Sequence, residues 1–349
     1  MMLKMILLFV PLLLAGCGAD PNTKAGPVVQ TPEAKSKEQE AGQPASLGKV
    51  ESDFLAVTPP LEGKLHDVSF SPDGTMIVAS AGNVFKGEVT VHDAKTGKPI
   101  RSYSGGYGCA AFSFDGKLLA AAGRDSVKVW ESDTGKLTKS LPTDETMVTR
   151  VAFAPGDKHL AASSFAGKVY IWESATGNKV HTLETPMLRK ASNWVLDIAW
   201  SKDGKRLASA GHQAAFVWDT ETGRSLHKLS DFATIVAFTA DGKTLMTNSD
   251  TRETKLWDAE SGKEVLAMKF RSSCAVFHPD GKRLAIGDND GNIGTWDLAT
   301  GNALKSFRAH EKQISRIAFA PNGKTFATAC FDDRTVRIWN ASKLDEAAK

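Results

Sequence analysis

The sequence predicts an all-β fold on three observations: one unit recurs seven times along 349 residues, alternating β-branched and aromatic runs fill each copy, and Asp-Gly or Thr-Gly pairs punctuate the runs. Each copy opens with an aromatic residue ahead of a turn tetrad: Phe70 with SPDG, Phe112 with SFDG, Phe153 with APGD, Trp200 with SKDG, Phe238 with TADG, Phe277 with HPDG and Phe319 with APNG. Roughly twenty residues later a second marker appears, within the length of such a repeat. The markers are Val91-His92-Asp93, Val129-Trp130-Glu131, Ile171-Trp172-Glu173, Val217-Trp218-Asp219, Leu256-Trp257-Asp258, Thr295-Trp296-Asp297 and Ile338-Trp339-Asn340. A glycine turn comes next at Gly97, Gly135, Gly177, Gly223, Gly262 and Gly301. Runs such as Lys168-Val169-Tyr170-Ile171-Trp172 alternate with period two and read as strands; the glycine pairs read as tight hairpins. Each copy is then a four-stranded antiparallel meander. One meander cannot cover both its faces, whereas radial stacking buries both and leaves only short edges, giving a seven-bladed β-propeller.

Aromatic-Ser-Pro-Asp-Gly, then hydrophobic-Trp-Asp, then Thr-Gly-Lys resembles the WD-repeat (WD40) β-propeller family over about Asp53 to Asn340. The resemblance implies a hydrogen-bonded set of His, Ser/Thr, Asp and Trp within a blade. The family's Gly-His survives only as Ala309-His310, so the full set is expected in the last blade alone, from His310, Thr328, Asp333 and Trp339. Blade one has His92 where the tryptophan belongs, and packing must supply its rigidity.

The seventh copy ends after Trp339 with no glycine turn and no outer strand. Ahead of the first copy, Asp53-Phe54-Leu55-Ala56-Val57-Thr58 occupies the place of an outer strand, like Lys136 to Leu141 in blade two. The N-terminal strand is therefore expected to complete the last blade and latch the ring.

The first fifty residues have a different character. Met1 to Gly18 carries one basic residue, Lys4, then an apolar run and small residues, which reads as an export signal. Leu14-Ala15-Gly16-Cys17 resembles the lipobox of bacterial lipoproteins, which implies lipidation of Cys17; Gly18 after the cysteine favours the outer membrane over inner-membrane retention. From Gly18 to about Gly48 the chain is Pro, Ala, Gly, Gln, Lys and Glu, too polar to offset the entropy of ordering. The expected organisation is a signal peptide over 1–16, a lipidated cysteine and disordered linker over 17–49, the propeller over 50–340 and a tail over 341–349.

Forty-three Lys+Arg against 40 Asp+Glu are scattered rather than striped, which excludes nucleic acid as a partner. Four cysteines, Cys17, Cys109, Cys274 and Cys330, lie too far apart for a disulfide framework or a C-x-x-C metal site. Nucleophile-elbow and P-loop patterns are absent, and Gly105-Gly106-Tyr107-Gly108 joins two strands rather than opening a helix. Asp288-Asn289-Asp290-Gly291-Asn292 has the oxygen density of a calcium loop without the bidentate glutamate, so turn chemistry is the preferred reading and calcium stays open. The reading assigns no catalytic set, cofactor or metal.

Three positions before each first-strand aromatic stand Asp67, Cys109, Arg150, Asp197, Ile235, Cys274 and Arg316. This register faces the channel. Arg150 with Asp197, and Arg316 with Asp67 across the closed ring, are expected to form two inter-blade ion pairs; His66 and His212 remain possible site residues.

Of eight tryptophans, only Trp194 has no place in the repeat, and it ends the longest inter-blade connection, Thr185 to Asn193. Inter-blade loops and second-to-third-strand turns open on one channel mouth, the face that the WD-repeat resemblance implies for partner binding. The loops bring Tyr107, Arg189, Trp194, Phe232 and Arg271, and the turns bring Phe85, Arg124, Phe165 and Phe331. Aromatics interleaved with arginines have the composition of binding hot spots. The expected function is a monomeric, membrane-anchored scaffold that binds protein partners in the bacterial envelope. The alternative is an extracytoplasmic enzyme or small-ligand binder using Asp67, Arg150, Asp197 and Arg316 at the channel mouth.

Overall fold

The computed structural model describes residues 38–39, 49–83, 86–106, 108–144, 147–188, 192–249, 253–270 and 272–344. The chain divides into two units, Met1–Lys37 and Glu38–Lys349, and the repeats lie in the second. The export signal, Cys17 and most of the linker lie outside the described residues.

Seven sheets form the blades, each built on four antiparallel strands; six are sequential meanders and the seventh takes its outer strand from the N-terminal side. The innermost strands are Leu65–Phe70, Ala110–Phe112, Val148–Phe153, Val195–Trp200, Ile235–Phe238, Cys274–Phe277 and Ile314–Phe319. Second strands are buried nearly throughout and rich in small residues, as in Leu118–Ala122 (LLAAA) and Arg206–Gly211 (RLASAG). Blades converge toward the axis, and small side chains let the tapering sheets close. Outer strands such as Lys179–Glu184 expose most of their residues.

The turn tetrads explain their own composition. Ser71 Oγ donates to Asp73 Oδ1 at 2.6 Å and accepts from the Met76 amide at 2.9 Å, and Ser113 with Asp115 and Ser201 with Asp203 repeat the arrangement. Gly74 sits at φ 72°, a left-handed conformation that glycine adopts without steric cost.

The latch forms as expected. Ala56–Val57 pairs antiparallel with Val336–Asn340, Ala56 opposite Ile338 and Val57 opposite Arg337. The pairing is shorter than the six-residue segment, yet amides flanking it continue it: Leu55 to the Ile338 carbonyl (2.7 Å), Thr58 to Val336 (3.0 Å) and Leu61 to Arg334 (3.0 Å). Two features depart from the sequence reading. Glu38–Gln39, within the expected linker, pairs in parallel with Ala267 and Met268 on blade five, whose outer edge presents free backbone groups to any extended segment. Ala341–Leu344, expected as tail, is a 3₁₀ turn with Ala341 and Leu344 buried.

Candidate functional site

The expected hydrogen-bonded set of blade seven is present. His310 Nδ1 lies 2.8 Å from Asp333 Oδ2, His310 Nε2 lies 2.8 Å from Thr328 Oγ1, and Trp339 Nε1 donates to Thr328 Oγ1 at 2.9 Å. Burial holds the His310 pKa below the ordinary imidazole value despite Asp333. The Asp333 carboxyl is held at about 2: burial opposes this, and the bond to His310 outweighs it together with donors on Thr335. Partial sets were not legible in the sequence: Trp218 Nε1 donates to Ser209 Oγ (2.9 Å) and Trp257 Nε1 to Thr247 Oγ1 (2.8 Å). In blade six, Trp296 Nε1 is buried without an acceptor.

His310, Cys330 and Asp333 bring donor atoms within 4.8 Å of one another, a grouping the sequence reading did not single out. Both His310 nitrogens are engaged by Asp333 and Thr328, and burial pushes the Cys330 thiol up to about 11, so these side chains serve the hydrogen-bonded set of the blade. At Asp288, Oδ1 accepts the amides of Asp290 (2.9 Å) and Asn292 (2.8 Å), and Oδ2 accepts the Asn292 side chain (2.8 Å), which is the turn chemistry expected there.

The channel charges form one network rather than two separate pairs. Arg150 Nε meets Asp197 Oδ1 at 2.7 Å and Arg316 Nε meets Asp67 Oδ1 at 3.3 Å, as expected. Arg150 Nη1 also reaches Asp67 at 3.0 Å, and Arg316 Nη1 approaches Asp197 at 4.0 Å. Cys109, the blade-two residue in this register, is too short to separate Arg150 from Asp67. Burial opposes the Arg150 charge, and Asp67 and Asp197 more than offset it, raising its pKa. Beside them burial, reinforced by Asp67, pushes the Cys109 thiol up to about 12. The four charges offered as ligand groups are thus committed to one another.

At the mouth, Arg189, Tyr107, Arg271 and Phe85 lie outside the described residues. Of the others, Phe165, Trp194 and Phe232 come together through His212. Ring centroids are 4.7 Å apart for Phe165 and Trp194, 4.8 Å for Trp194 and His212, and 5.3 Å for His212 and Phe232. This run crosses blades three, four and five, and all four side chains are half-buried. Phe331 stands apart with His66 (5.5 Å) and with Lys64 Nζ over its ring (4.3 Å). Burial holds His66 below the ordinary imidazole value. Arg124 is exposed, and its main-chain oxygen accepts the Met147 amide. Sequence reasoning missed Gln213, Met187 and Leu188. The usable signal was the connection they belong to or face, which it had marked as long.

A family model described as outer membrane protein assembly factor BamB matches residues 58–268, more than half of the chain, and the WD domain, G-beta repeat model matches 269–297 and 301–340. The chain belongs to the β-propeller family of that BamB model, and its last two blades are similar to the WD domain, G-beta repeat model. Among curated relatives of this propeller, WD repeat-containing protein SL1-17 of Schistosoma mansoni is 30% identical over 146 residues, 40% of this chain and 46% of its own. The intraflagellar transport protein 122 homolog of Xenopus tropicalis is 28% identical over 152 residues, 42% of this chain and 12% of its own. Transcriptional corepressor LEUNIG_HOMOLOG of Arabidopsis thaliana is 38% identical over 68 residues, 19% and 9% respectively. The propeller thus matches less than half the length of each of these relatives.

Proposed function

We propose that this propeller is a non-catalytic platform that binds a protein partner at the mouth over blades three to five, held to the bacterial envelope by a lipidated Cys17. The observation that carries the reading is the run Phe165, Trp194, His212 and Phe232, with Met187 71% and Leu188 46% exposed beside it. Contiguous aromatic and aliphatic surface on a rigid scaffold is where association energy concentrates. The match to a model described as an outer membrane assembly factor supports the envelope assignment, as does the lipobox resemblance.

The test is a cross-linked pull-down from intact envelopes with Trp194→Ala and Phe232→Ala together. Partner recovery should fall at least tenfold, about 1.4 kcal/mol of binding, with the melting temperature within a few degrees of wild type. Wild-type recovery would remove this face from consideration. In parallel, fatty-acid labelling should vanish in Cys17→Ser; retained label defeats the anchor.

A further inference from the structure

The outer strands of blades one to six each follow a glycine turn, and five of the six carry a long polar side chain at the same distance past that glycine: Arg101, Lys139, His181, His227 and Lys305. Three of these bond main-chain oxygens of the next blade. Arg101 donates from Nη1 to the Thr134 carbonyl (2.8 Å) and from Nη2 to the Asp133 carbonyl (2.9 Å), while His181 Nε2 lies 3.2 Å from the Glu221 carbonyl and His227 Nε2 lies 2.8 Å from that of Glu260. Charged and polar groups held against a sheet edge discourage a further strand from pairing there.

Blade five breaks the pattern. Its outer strand, Glu264–Lys269, has Leu266 at that position, packed against the same core as Met268 and Trp296. The next residue is the buried Ala267, where the other five strands have Ser102, Ser140, Thr182, Lys228 and Ser306. Glu264 is engaged by Lys255 at 3.0 Å. Val265-Leu266-Ala267-Met268 is thus an unbroken apolar run without counterpart on the other five strands, and Val265 at its start is 61% exposed.

This unguarded edge is also the one that is paired. Glu38 lies opposite Ala267 and Gln39 opposite Met268 in parallel, which makes blade five, among the described residues, the one sheet with a fifth strand. The pairing covers two of the six residues of Glu264–Lys269, and an apolar seat is matched to a Glu-Gln pair. A strand of alternating aliphatic residues would keep the main-chain bonds and add side-chain burial beside Leu266.

We propose that Glu264–Lys269 is a strand-addition site for an extended aliphatic segment of a protein partner running parallel to it, with Glu38–Gln39 as a resident that such a segment displaces. Main-chain pairing supplies the affinity, and the side chains beside Leu266 supply the selectivity. The surface is separate from the aromatic run at the mouth and does not depend on it.

The probe is a soluble peptide with Val or Ile at alternate positions, titrated into the purified full chain with hydrogen exchange read strand by strand. Main-chain amides of Glu264–Lys269 should gain protection, and those of Lys179–Glu184, where His181 stands in place of Leu266, should not. The same peptide with its central amides N-methylated should bind at least tenfold more weakly. Ala267→Lys, which copies Lys228 of blade four, should weaken binding at least fivefold; the N-methylated peptide needs no protein variant and decides the matter even if Ala267→Lys lowers the melting temperature. Glu38→Pro with Gln39→Pro should tighten binding at least threefold by loosening the resident. Trp194→Ala with Phe232→Ala should leave it unchanged, so that loss of the mouth and loss of the edge are told apart. Protection spread over the other outer strands, binding indifferent to N-methylation, dependence on Trp194 and Phe232, blade-five protection that comes from self-association of the chain, or no binding overturns the inference.

Discussion

At the closing seam of blade seven, polar groups join the two ends of the propeller, some buried and some at the surface. His310, Thr328, Asp333 and Trp339 form a continuous set, Val336 donates its amide to the Thr58 hydroxyl at 3.0 Å, and Lys343 holds Glu51 (2.9 Å) and Asp53 (2.6 Å). Over blades three to five the same repeat leaves aromatic rings half-buried and two aliphatic side chains in water. Repeat position alone does not separate the two regions, since Phe165 and Phe331 occupy equivalent turns. The difference lies in what covers each region. Blade seven borrows its fourth strand from the far end of the chain, so its interior is sealed by a segment with no covalent neighbour in the blade. At the mouth, the described residues of the connection bond to the turns beneath them, Thr185 to Gly167 and both Leu188 and Ser192 to Gln213. Side-chain hydrogen bonding thus gathers where the ring closes, while the mouth over blades three to five carries Met187, the most exposed large apolar residue among those described.

The comparison breaks most severely if the borrowed strand is removed. Deleting residues 18–48 should leave the thermal midpoint within a few degrees of wild type, whereas deletion through Leu61 strips the Leu55, Thr58 and Leu61 amide bonds and uncovers Trp339, which Phe54 flanks at 5.9 Å. Aggregation or loss of cooperative melting is expected for the longer deletion. Equal midpoints for the two proteins would show that the ring closes without its latch.

A smaller effect is expected from Thr328→Val, which keeps the shape and removes the group that Trp339 and His310 share. Leaving buried partners unsatisfied costs roughly 2–4 kcal/mol. The pH dependence comes from the same set. The His310 pKa is lowered by burial, so the unfolded chain takes up that proton first and stability falls as pH drops below about 6.5. The Asp333 pKa is also lowered, to about 2, so its contribution is present above the unfolded value of about 4 and is lost between there and about pH 2. Denaturant midpoints at pH 7, 5 and 3 should decline stepwise in wild type, whereas in Asp333→Asn the step from pH 5 to 3 should shrink and the step from pH 7 to 5, which comes from His310, should persist. Parallel declines would remove this set as the source.

The blades and their order were legible because each depends on local signals that recur along the chain, a turn glycine and a period of two in all seven copies and a marker tryptophan in six, and the latch was legible because the seventh copy lacks its outer strand. The blade-seven set was legible for the same reason, since His310, Thr328, Asp333 and Trp339 stand at fixed repeat positions. The channel network was half legible. Register predicts which charges share a level, but whether Arg150 stops at Asp197 or also reaches Asp67 depends on side-chain length across the channel and on the small Cys109 between them. Gln213 was invisible because its role is long-range. It looks like any polar turn residue until the connection 25 residues earlier in sequence is laid over it.

The smallest expected effect sharpens the comparison inside the propeller. Blades four, five and seven give their marker tryptophan a hydroxyl two residues past the residue paired with it: Ser209 after Leu207, Thr247 after Leu245 and Thr328 after Phe326. In blade six the same position, two past Leu284, is Ile286, and Trp296 Nε1 is left without an acceptor. Ile286→Thr supplies the missing oxygen on a side chain that keeps its β-branch. The new bond contributes about 1 kcal/mol and relieves a buried donor, while the lost aliphatic burial costs roughly the same. A midpoint within about 1 kcal/mol of wild type is therefore expected, far milder than the roughly 2–4 kcal/mol of an ordinary buried Ile truncation. Indole N–H exchange should slow in the variant as the bond forms. A loss of several kcal/mol with unchanged exchange would mean that blade six has packed around the aliphatic side chain too tightly for the motif to be restored.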